Sequence, residues 1–195
     1  MLITRFEDIP STDVTILYGG SFNPLHISHV LFVMTLRALI PNARLIVAPT
    51  YSHAFNKSLM PYEQRLAMLD AVLGGIPGVE VSTIERDLHR TTSYTIDVVR
   101  ALRSARPESR VLVAVGADIV DTLPQWHEYE TLTGLCDFLV LPRVGYDAAC
   151  LPMPALPEVS STAIREALER RSPDDLSYLR AYVPARVLGL LGLFR

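Results

Sequence analysis

Five short apolar runs alternate with helical patterns along this chain, and the alternation restricts its possible folds more than any other feature. The runs are VTILY, RLIVAP, VEVS, RVLVAVG and DFLVLPR. They are too continuous to be half-exposed antiparallel strands, so they predict buried parallel strands. The helical patterns lie at Ile27 to Ile40, Pro61 to Leu73, Tyr94 to Ala105 and after Asp118. We therefore expect an α/β fold with a doubly wound, mostly parallel sheet and helices on both faces.

The size and composition of the chain predict a single domain over residues 1–195. Of its 195 residues, 49% are hydrophobic, which is enough for a sizeable core. The segment PRVGYDAACLPMPALPEV is expected to be a loop of that domain, with about one more helical region after it. The formal net charge is −3, whereas nucleic-acid-binding domains usually carry a basic face. No nucleic-acid partner is therefore expected.

The cysteines and the N-terminal stretch predict a cytoplasmic protein. Cys136 and Cys150 have no C-x-x-C spacing, which argues against a zinc knuckle or a disulfide framework. The stretch MLITRFEDIPSTD has acids and a proline where a secretory signal would be apolar. The longest apolar run, Val30 to Ile40, contains Arg37, so no membrane-spanning segment is expected.

The string GGSFNPLHISH follows the first strand, at the edge of the sheet where ligands of this architecture bind. Gly19 and Gly20 are expected to mark a sharp turn that makes room for a bulky anion. A helix starting around Ile27 would direct free N–H groups there, with His26 and His29 on one side near the positive end of its dipole. The string therefore predicts a phosphate site. A tight strand-to-helix connection, with one histidine capping the helix and the other solvated, is the alternative.

The string EVSSTAIREAL has the features of a second phosphate site. Ser160, Ser161 and Thr162 can cap the start of a helix, and Arg165 follows in its first turns. Hydroxyl groups, free N–H groups and a guanidinium together offer several donors to phosphate oxygens. An ordinary capped helix would use the same residues, so that interpretation stays open.

Both strings resemble signatures of the nucleotidylyltransferase superfamily. GGSFNPLHISH resembles G-[ST]-F-[DN]-P-x-H-x-G-H, with Ser28 where the family usually has glycine and Asn23 where aspartate is common. VSSTAIR resembles I-S-S-T-x-I-R at six of seven positions, with Val159 for isoleucine. The resemblance implies a Rossmann-like nucleotidylyltransferase fold in which both histidines contact nucleotide phosphates.

Two interior segments resemble bacterial nicotinate-nucleotide adenylyltransferases in particular. They are RTTSYTIDVVRAL and VLVAVGADIVDTLPQWHEYETL, and the second is expected to end a strand and open a helix. In that family Asp118 would lie near the ATP ribose, and Trp126 would stack on the cationic pyridine ring. Backbone amides near Ser93 and His127 would meet the pyridine carboxylate. A core tryptophan and an N-cap aspartate are the alternatives.

The resemblance also implies a set of site residues. The expected ATP-binding residues are Gly19, Gly20, Ser21, Phe22, His26, His29, Gly116, Asp118, Ser160, Ser161, Thr162 and Arg165. The expected pyridine-nucleotide-binding residues are Ser93, Tyr94, Trp126 and His127. The expected catalytic residues are His26, His29, Lys57 and Arg165. His53 and Asn56 are further candidate substrate contacts, and Arg65 is expected to support the neighbouring loop.

The implied reaction transfers the AMP moiety of ATP to nicotinate mononucleotide, giving deamido-NAD and pyrophosphate in NAD biosynthesis. Mg²⁺ is expected to accompany ATP, held mostly by phosphate oxygens and water, without a dedicated protein metal site. The alternatives are adenylyl transfer to nicotinamide mononucleotide or phosphopantetheine, cytidylyl transfer, and a nucleotide-binding regulator without turnover. A homo-oligomer stays open as the assembly state.

Overall fold

Six parallel strands form one sheet in the computed structural model, which describes residues 1–11, 13–52, 59–157 and 159–193. The strands are β1 (Leu2–Ile3), β2 (Val14–Gly20), β3 (Arg44–Pro49), β4 (Val79–Val81), β5 (Arg110–Gly116) and β6 (Asp137–Leu141). Their order is β1-β6-β5-β2-β3-β4, and each pairing is parallel. The prediction of a doubly wound parallel sheet is confirmed.

Helices cover both faces of this sheet. They are α1 (Ile27–Leu39), α2 (Tyr62–Leu73), α3 (Ile84–Asp87), α4 (Thr95–Ala105), α5 (Tyr129–Leu135), α6 (Ser161–Arg170), α7 (Pro173–Tyr182) and α8 (Ala185–Leu190). One buried cluster joins α1, α2 and the last three helices to one face, and a second joins α4 and α5 to the other. Ile16 and Tyr18 of β2 lie in the first cluster and Leu17 in the second. The central strands β2, β3, β5 and β6 carry long buried apolar runs because helices cover both faces of the sheet.

The winding direction reverses beside β2. The chain passes from β2 to β3 and β4 on one side, then crosses to β5 and β6 on the other. Val14 of β2 pairs with Arg110 of β5, and Tyr18 of β2 pairs with Val47 of β3. The helices that follow β2 and β5 leave on opposite faces of the sheet. A crevice therefore opens between the carboxyl ends of these two strands.

The sharp turn that the sequence predicts at Gly19 and Gly20 lies later in the chain, so that prediction is wrong. Both glycines are the last residues of β2 and pair with the end of β3. The backbone turns instead at Phe22, whose φ of 45° lies in the left-handed region that few non-glycine residues adopt. The Phe22 ring is buried and lies edge-on to His29, with centroids 5.0 Å apart. Packing of the Phe22 ring in the core thus stabilises the left-handed backbone conformation at this turn.

The sequence predicts an α-helix after Asp118, whereas the structure has a 3-10 helix over Ala117–Gln125 and then the short α5. Pro124 lies inside the 3-10 segment, and a proline has no N–H with which to continue an α-helical ladder. Two further elements, β1 and α3, are too short to show a periodic pattern. The strand predicted at VEVS is β4, a half-buried edge strand rather than a fully buried one.

Three helices follow the proline-rich loop where the sequence predicts about one. Arg171 ends α6 with a φ of 54°, and Ser172 then caps α7 by accepting a hydrogen bond from Asp175 N. Pro184 separates α7 from α8. The breaks between these helices interrupt the apolar period, so the sequence pattern predicts too few helices. Across the residues that the structure describes, no helix combines the length and apolar character needed to traverse a bilayer.

Candidate active site

A cleft of about 720 Å³ opens at the carboxyl ends of β2 and β5, where the reversal of strand order predicts a ligand site. Residues 17–21 of β2 and its following turn line it, together with residues 113–116 of β5. His29 and Phe32 of α1 also line the cleft. A volume of this size is typical of small-molecule and cofactor sites.

Gly19 leaves part of this cleft open. A Cβ atom built on Gly19 would meet no other atom within 4 Å, and Gly19 itself lines the cleft. A side chain at this position would extend into unfilled space. Glycine therefore makes room here, as the sequence predicts, although it does so inside a strand and not at a turn.

The two histidines lie together at the start of α1. His26 is the N-cap residue and His29 follows within the first turn. Their rings stack, with centroids 3.7 Å apart and planes inclined by 27°. His26 is only 2% exposed and its Nδ1 has no hydrogen-bond partner among the described residues, although buried polar atoms usually have one. His29 lines the cleft and His26 does not, so His29 is the imidazole of the pair that a ligand in the cleft would meet.

Both imidazoles are neutral at pH 7. Burial, with a smaller contribution from the charge of Arg143, lowers the pKa of His26 from 6.5 to about 4. Burial and the neighbouring His26 and Arg143 also lower the pKa of His29 well below its usual value. The backbone N–H of His26 donates to Nδ1 of His29 at 3.3 Å, so the proton of neutral His29 lies on Nε2. His29 thus caps the helix through Nδ1 and can donate through Nε2.

Lowering the pH from 7 to 5 is expected to reduce the free energy of unfolding through His26. The pKa of histidine in the unfolded chain is about 6.5, so below that pH the unfolded state binds more protons than the folded state. The loss grows between pH 6.5 and the folded pKa of about 4, and it reaches about 2 kcal/mol at pH 5. Urea unfolding at both pH values measures it.

The matched variants for this experiment are His26→Asn and His89→Asn. Asparagine is a good N-cap residue, so His26→Asn should fold and lose less stability at pH 5 than the wild type. His89 is exposed with a φ of 50°, which asparagine tolerates, and His89→Asn should behave like the wild type. Equal acid losses in the wild type and His26→Asn would contradict the prediction.

The second motif forms the start of α6. Ser160 is its N-cap residue, and its Oγ accepts a hydrogen bond from Ala163 N at 3.1 Å. Thr162 Oγ1 accepts a hydrogen bond from Arg165 Nη2 at 3.1 Å. Among the described residues that line the cleft, none comes from this helix start. The capped-helix interpretation is therefore correct, and the phosphate-binding roles of these residues stay predictions.

The start of α6 is also bound to the first motif. Arg165 donates from Nη1 to the carbonyl oxygen of Asn23 at 2.8 Å. Ser161 donates from Oγ to the carbonyl oxygen of Pro24 at 3.4 Å. Segments far apart in the sequence, each predicted to bind phosphate, thus pack against one another beside the cleft.

An ion pair lies at the β5 end of the cleft. Arg143, which follows β6, has its Nε 3.5 Å from Oδ1 of Asp118, and both residues line the cleft. A Cβ atom at Gly116 would collide with Asp118 Oδ1 and would lie 3.1 Å from Arg143 Cγ, so glycine permits this close approach. The N-cap residue of the 3-10 helix is Gly116, and the alternative that Asp118 is an N-cap is wrong.

Three aromatic residues lie together on the cleft lining. The rings of Tyr94 and His127 stack, with centroids 4.1 Å apart and planes inclined by 24°. Trp126 is half-buried, and one edge packs on Phe138 with centroids 6.1 Å apart. Trp126 therefore packs against the core on one side and lines the cleft on the other. Its contact with a pyridine ring stays a prediction.

A carboxylate that sequence reasoning missed also lines the cleft. Glu85 Oε2 accepts a hydrogen bond from Tyr51 N at 3.0 Å, and Ser93 hydrogen-bonds the same carboxylate. Ser93 Oγ in turn accepts a hydrogen bond from Ser52 N at 3.1 Å. Burial raises the pKa of Glu85, and these donors lower it in part. Glu85 and Ser93 thus hold the backbone N–H groups of Tyr51 and Ser52, which follow β3.

Arg65 supports the loops at the carboxyl end of the sheet, as the sequence predicts. Arg65 as a whole is 1% exposed, and its guanidinium donates to three backbone carbonyl oxygens. These belong to Met60 at 3.0 Å, Ser21 at 3.0 Å and Thr50 at 2.8 Å. Ser21 and Thr50 both line the cleft, whereas Arg65 does not. Arg65 therefore fixes the backbone after β2 and β3 from outside the cleft.

Several predicted site residues fall outside the described part of the chain. These are Lys57, His53 and Asn56. Within the described part, no three His, Cys, Asp or Glu side chains are grouped as a metal site would require. Arg143 and Glu85 are the charged cleft residues that the motifs missed. Arg143 ends one predicted strand and Glu85 follows another, so the rule that ligands bind at strand ends would have pointed to them.

Residues 17–167 match the family model described as Cytidylyltransferase-like. A curated protein of Myxococcus xanthus named "Probable nicotinate-nucleotide adenylyltransferase" is 36% identical over 188 residues, covering 95% of this chain and 98% of its own length. A protein of the same printed name from Anaeromyxobacter dehalogenans is 32% identical and covers 92% of this chain and 95% of its own. The similarity therefore extends over almost the whole chain.

Two solved structures have the same fold. Plasmodium falciparum nicotinic acid mononucleotide adenylyltransferase complexed with NaAD has a TM-score of 0.76 at 16% identity, covering 92% of this chain and 95% of its own. The same protein complexed with APC has a TM-score of 0.73 at 16% identity, covering 92% and 94%. At this level of identity the likeness concerns the fold alone.

Proposed function

The chain belongs to the Cytidylyltransferase-like family and, within it, to the nicotinate-nucleotide adenylyltransferases, and on this premise we propose that it transfers AMP from ATP to nicotinate mononucleotide. The products are deamido-NAD and pyrophosphate. The observation that carries the proposal is the neutral, stacked pair of His26 and His29 beside a nucleotide-sized cleft between β2 and β5. Of this pair, His29 lines the cleft and offers a hydrogen-bond donor at the place where the fold binds nucleotides.

In the proposed reaction a 5′-phosphate oxygen of nicotinate mononucleotide attacks the α-phosphorus of ATP. The bond from the α-phosphorus to the bridging oxygen breaks, and pyrophosphate leaves with the electron pair. A phosphate monoester is already ionised near pH 7, so no general base is needed. Catalysis then comes from alignment and from stabilisation of charge on the transferring phosphoryl group.

The chain supplies donors for that charge. His29 would donate from Nε2 to a phosphate oxygen, since its Nδ1 is already occupied by His26 N. Arg143 lines the cleft and would attract the phosphates of either nucleotide, while its pairing with Asp118 holds the guanidinium in place. Both groups are in place before substrate binds, so little reorganisation is needed during the reaction.

Mg²⁺ is proposed to enter with ATP. It would be held mainly by phosphate oxygens and water. Asp118, the carboxylate beside Arg143 in the cleft, is the residue that would reach the ion or its water ligands. The ion would neutralise part of the triphosphate charge.

Replacing Trp126 with alanine is expected to raise KM for nicotinate mononucleotide roughly 2- to 30-fold, the equivalent of a cation–π contact of about 0.5–2 kcal/mol. KM for ATP should change little, and Trp126→Phe should give a smaller effect. Tyr129→Ala is the control, because Tyr129 also packs on Phe138, at 6.1 Å, but does not line the cleft. Equal effects of Trp126→Ala on both substrates would remove the pyridine assignment.

The proposed function is tested by product formation from ATP with three acceptors in parallel. These are nicotinate mononucleotide, nicotinamide mononucleotide and phosphopantetheine, with pyrophosphate release measured in each. We expect the highest kcat/KM with nicotinate mononucleotide. A higher value with either other acceptor would reassign the substrate, and ATP binding without pyrophosphate release in all three would indicate a nucleotide-binding regulator.

A further inference from the structure

Ser28, which lies between the two histidines in the sequence, makes a hydrogen bond to a distant segment of the chain. It lies in the first turn of α1, is 0% exposed, and donates from Oγ to the carbonyl oxygen of Pro157 at 2.9 Å. Pro157 belongs to the segment that leads into Ser160, the N-cap residue of α6. The hydroxyl therefore joins the helix that carries the imidazoles to the backbone in front of the second motif. A glycine at this position has no atom that could do so.

This bond runs in the opposite direction from the other two contacts between the motifs. Arg165 and Ser161 reach from α6 to carbonyl oxygens of Asn23 and Pro24, before α1 begins. Ser28 reaches from α1 itself to the segment before α6. Hydrogen bonds thus join the starts of the two helices in both directions. Of these bonds, only the one from Ser28 is made by a residue of α1 itself.

The hydrogen bonds between the two helix starts matter for nucleotide binding because both helix ends are positively polarised. The N-terminus of each helix carries a partial positive charge and free N–H groups. Two such ends side by side repel each other until an anion lies near them. A hydrogen bond that holds them together keeps the donors in position beforehand and lowers the cost of ordering them when the triphosphate binds.

We propose that Ser28 is a positioning residue: through its bond to Pro157 it holds the imidazoles of α1 in register with the start of α6 for binding of the ATP triphosphate. The proposal rests on the proposed function for its kinetic consequences. Its binding consequence, tighter attachment of an ATP triphosphate, does not depend on the identity of the acceptor.

The test compares Ser28→Ala with Ser109→Ala. Ser109 Oγ and Thr15 Oγ1 are also joined by a buried hydrogen bond, at 2.8 Å, but they lie at the amino ends of β5 and β2, away from the cleft. For Ser28→Ala, kcat/KM for ATP should fall roughly 10- to 100-fold, because small misplacements of aligned groups are costly. KM for nicotinate mononucleotide should stay within about two-fold. Ser109→Ala should lower Tm without changing either constant.

Two measurements keep the outcome decisive. Ser28→Cys approximately preserves the side-chain volume but has a weaker donor, so its kcat/KM for ATP should lie between those of the wild type and Ser28→Ala. This variant can be measured if Ser28→Ala does not fold. Calorimetry with the methylene analogue of ATP should show about ten-fold weaker binding to Ser28→Ala, whichever acceptor the enzyme uses. Unchanged analogue affinity with a lowered Tm would overturn the proposal and leave Ser28 a stability residue. An inactive wild type with weakened analogue binding would instead count against the proposed function alone.

Discussion

Replacing His29 with asparagine is expected to lower kcat for adenylyl transfer by about 10²–10³-fold, the usual effect of removing one donor that stabilises transition-state charge. His29 Nδ1 accepts a hydrogen bond from His26 N at 3.3 Å, and Oδ1 of asparagine can take the same place. The helix start should therefore survive. What asparagine cannot supply is the donor at Nε2, because its side chain is too short.

Glutamine makes the complementary variant. In His29→Gln the side-chain amide reaches the position of Nε2, so a donor is restored and kcat should recover in part. KM for nicotinate mononucleotide should change little in either variant, because the lost interaction belongs to the transition state. His89→Asn is the control, since His89 does not line the cleft. A kcat for His29→Asn close to that of the wild type would show that His29 only caps the helix.

Replacing Arg65 with leucine is expected to reduce the free energy of unfolding by roughly 3–5 kcal/mol, because three carbonyl oxygens lose their donor and each buried group left unsatisfied costs about 1–3 kcal/mol, part of which relaxation recovers. The same variant should lower kcat/KM, since two of those carbonyls belong to Ser21 and Thr50 on the cleft lining. Denaturant unfolding and steady-state kinetics measure the two effects.

Lysine at position 65 separates charge from geometry. An ammonium group keeps the charge but cannot reach three carbonyl oxygens as the planar guanidinium does, so Arg65→Lys should lose most of the same stability. Arg186→Leu is the control, because exposed Arg186 donates to a single carbonyl oxygen, that of Ala71, at 2.7 Å. Arg65→Lys as stable as the wild type would mean that only the buried charge matters.

The centre of the sheet was predictable because strands β2, β3, β5 and β6 are buried on both faces. Uninterrupted runs such as RVLVAVG leave no amphipathic alternative, and β5 occupies that run completely. The errors lie where a local signal was weak or misleading. Pro124 turned an expected α-helix into a 3-10 helix, and β1 has only two residues. Elements that short are stabilised by the sheet and not by their own sequence.

The site was predictable in part, because motifs describe residues close together in the chain. The spacing of His26 and His29 foretold their side-by-side arrangement. It could not foretell that their pKa values are lowered, since these depend on burial by residues from other elements and on the charge of Arg143. Arg143 and Glu85 belong to no motif and reach the cleft only through the sheet topology.

The placement of β2 between β3 and β5 also fixes when the chain becomes competent during synthesis. Val14 pairs with Arg110, far along the chain, and forming so distant a contact has a high loop-closure entropy. A nascent chain that has not yet emerged past β5 lacks one side of the crevice, and one without α6 lacks the helix that fastens the histidine loop. We therefore expect nucleotide capture only after nearly the entire polypeptide has left the ribosome.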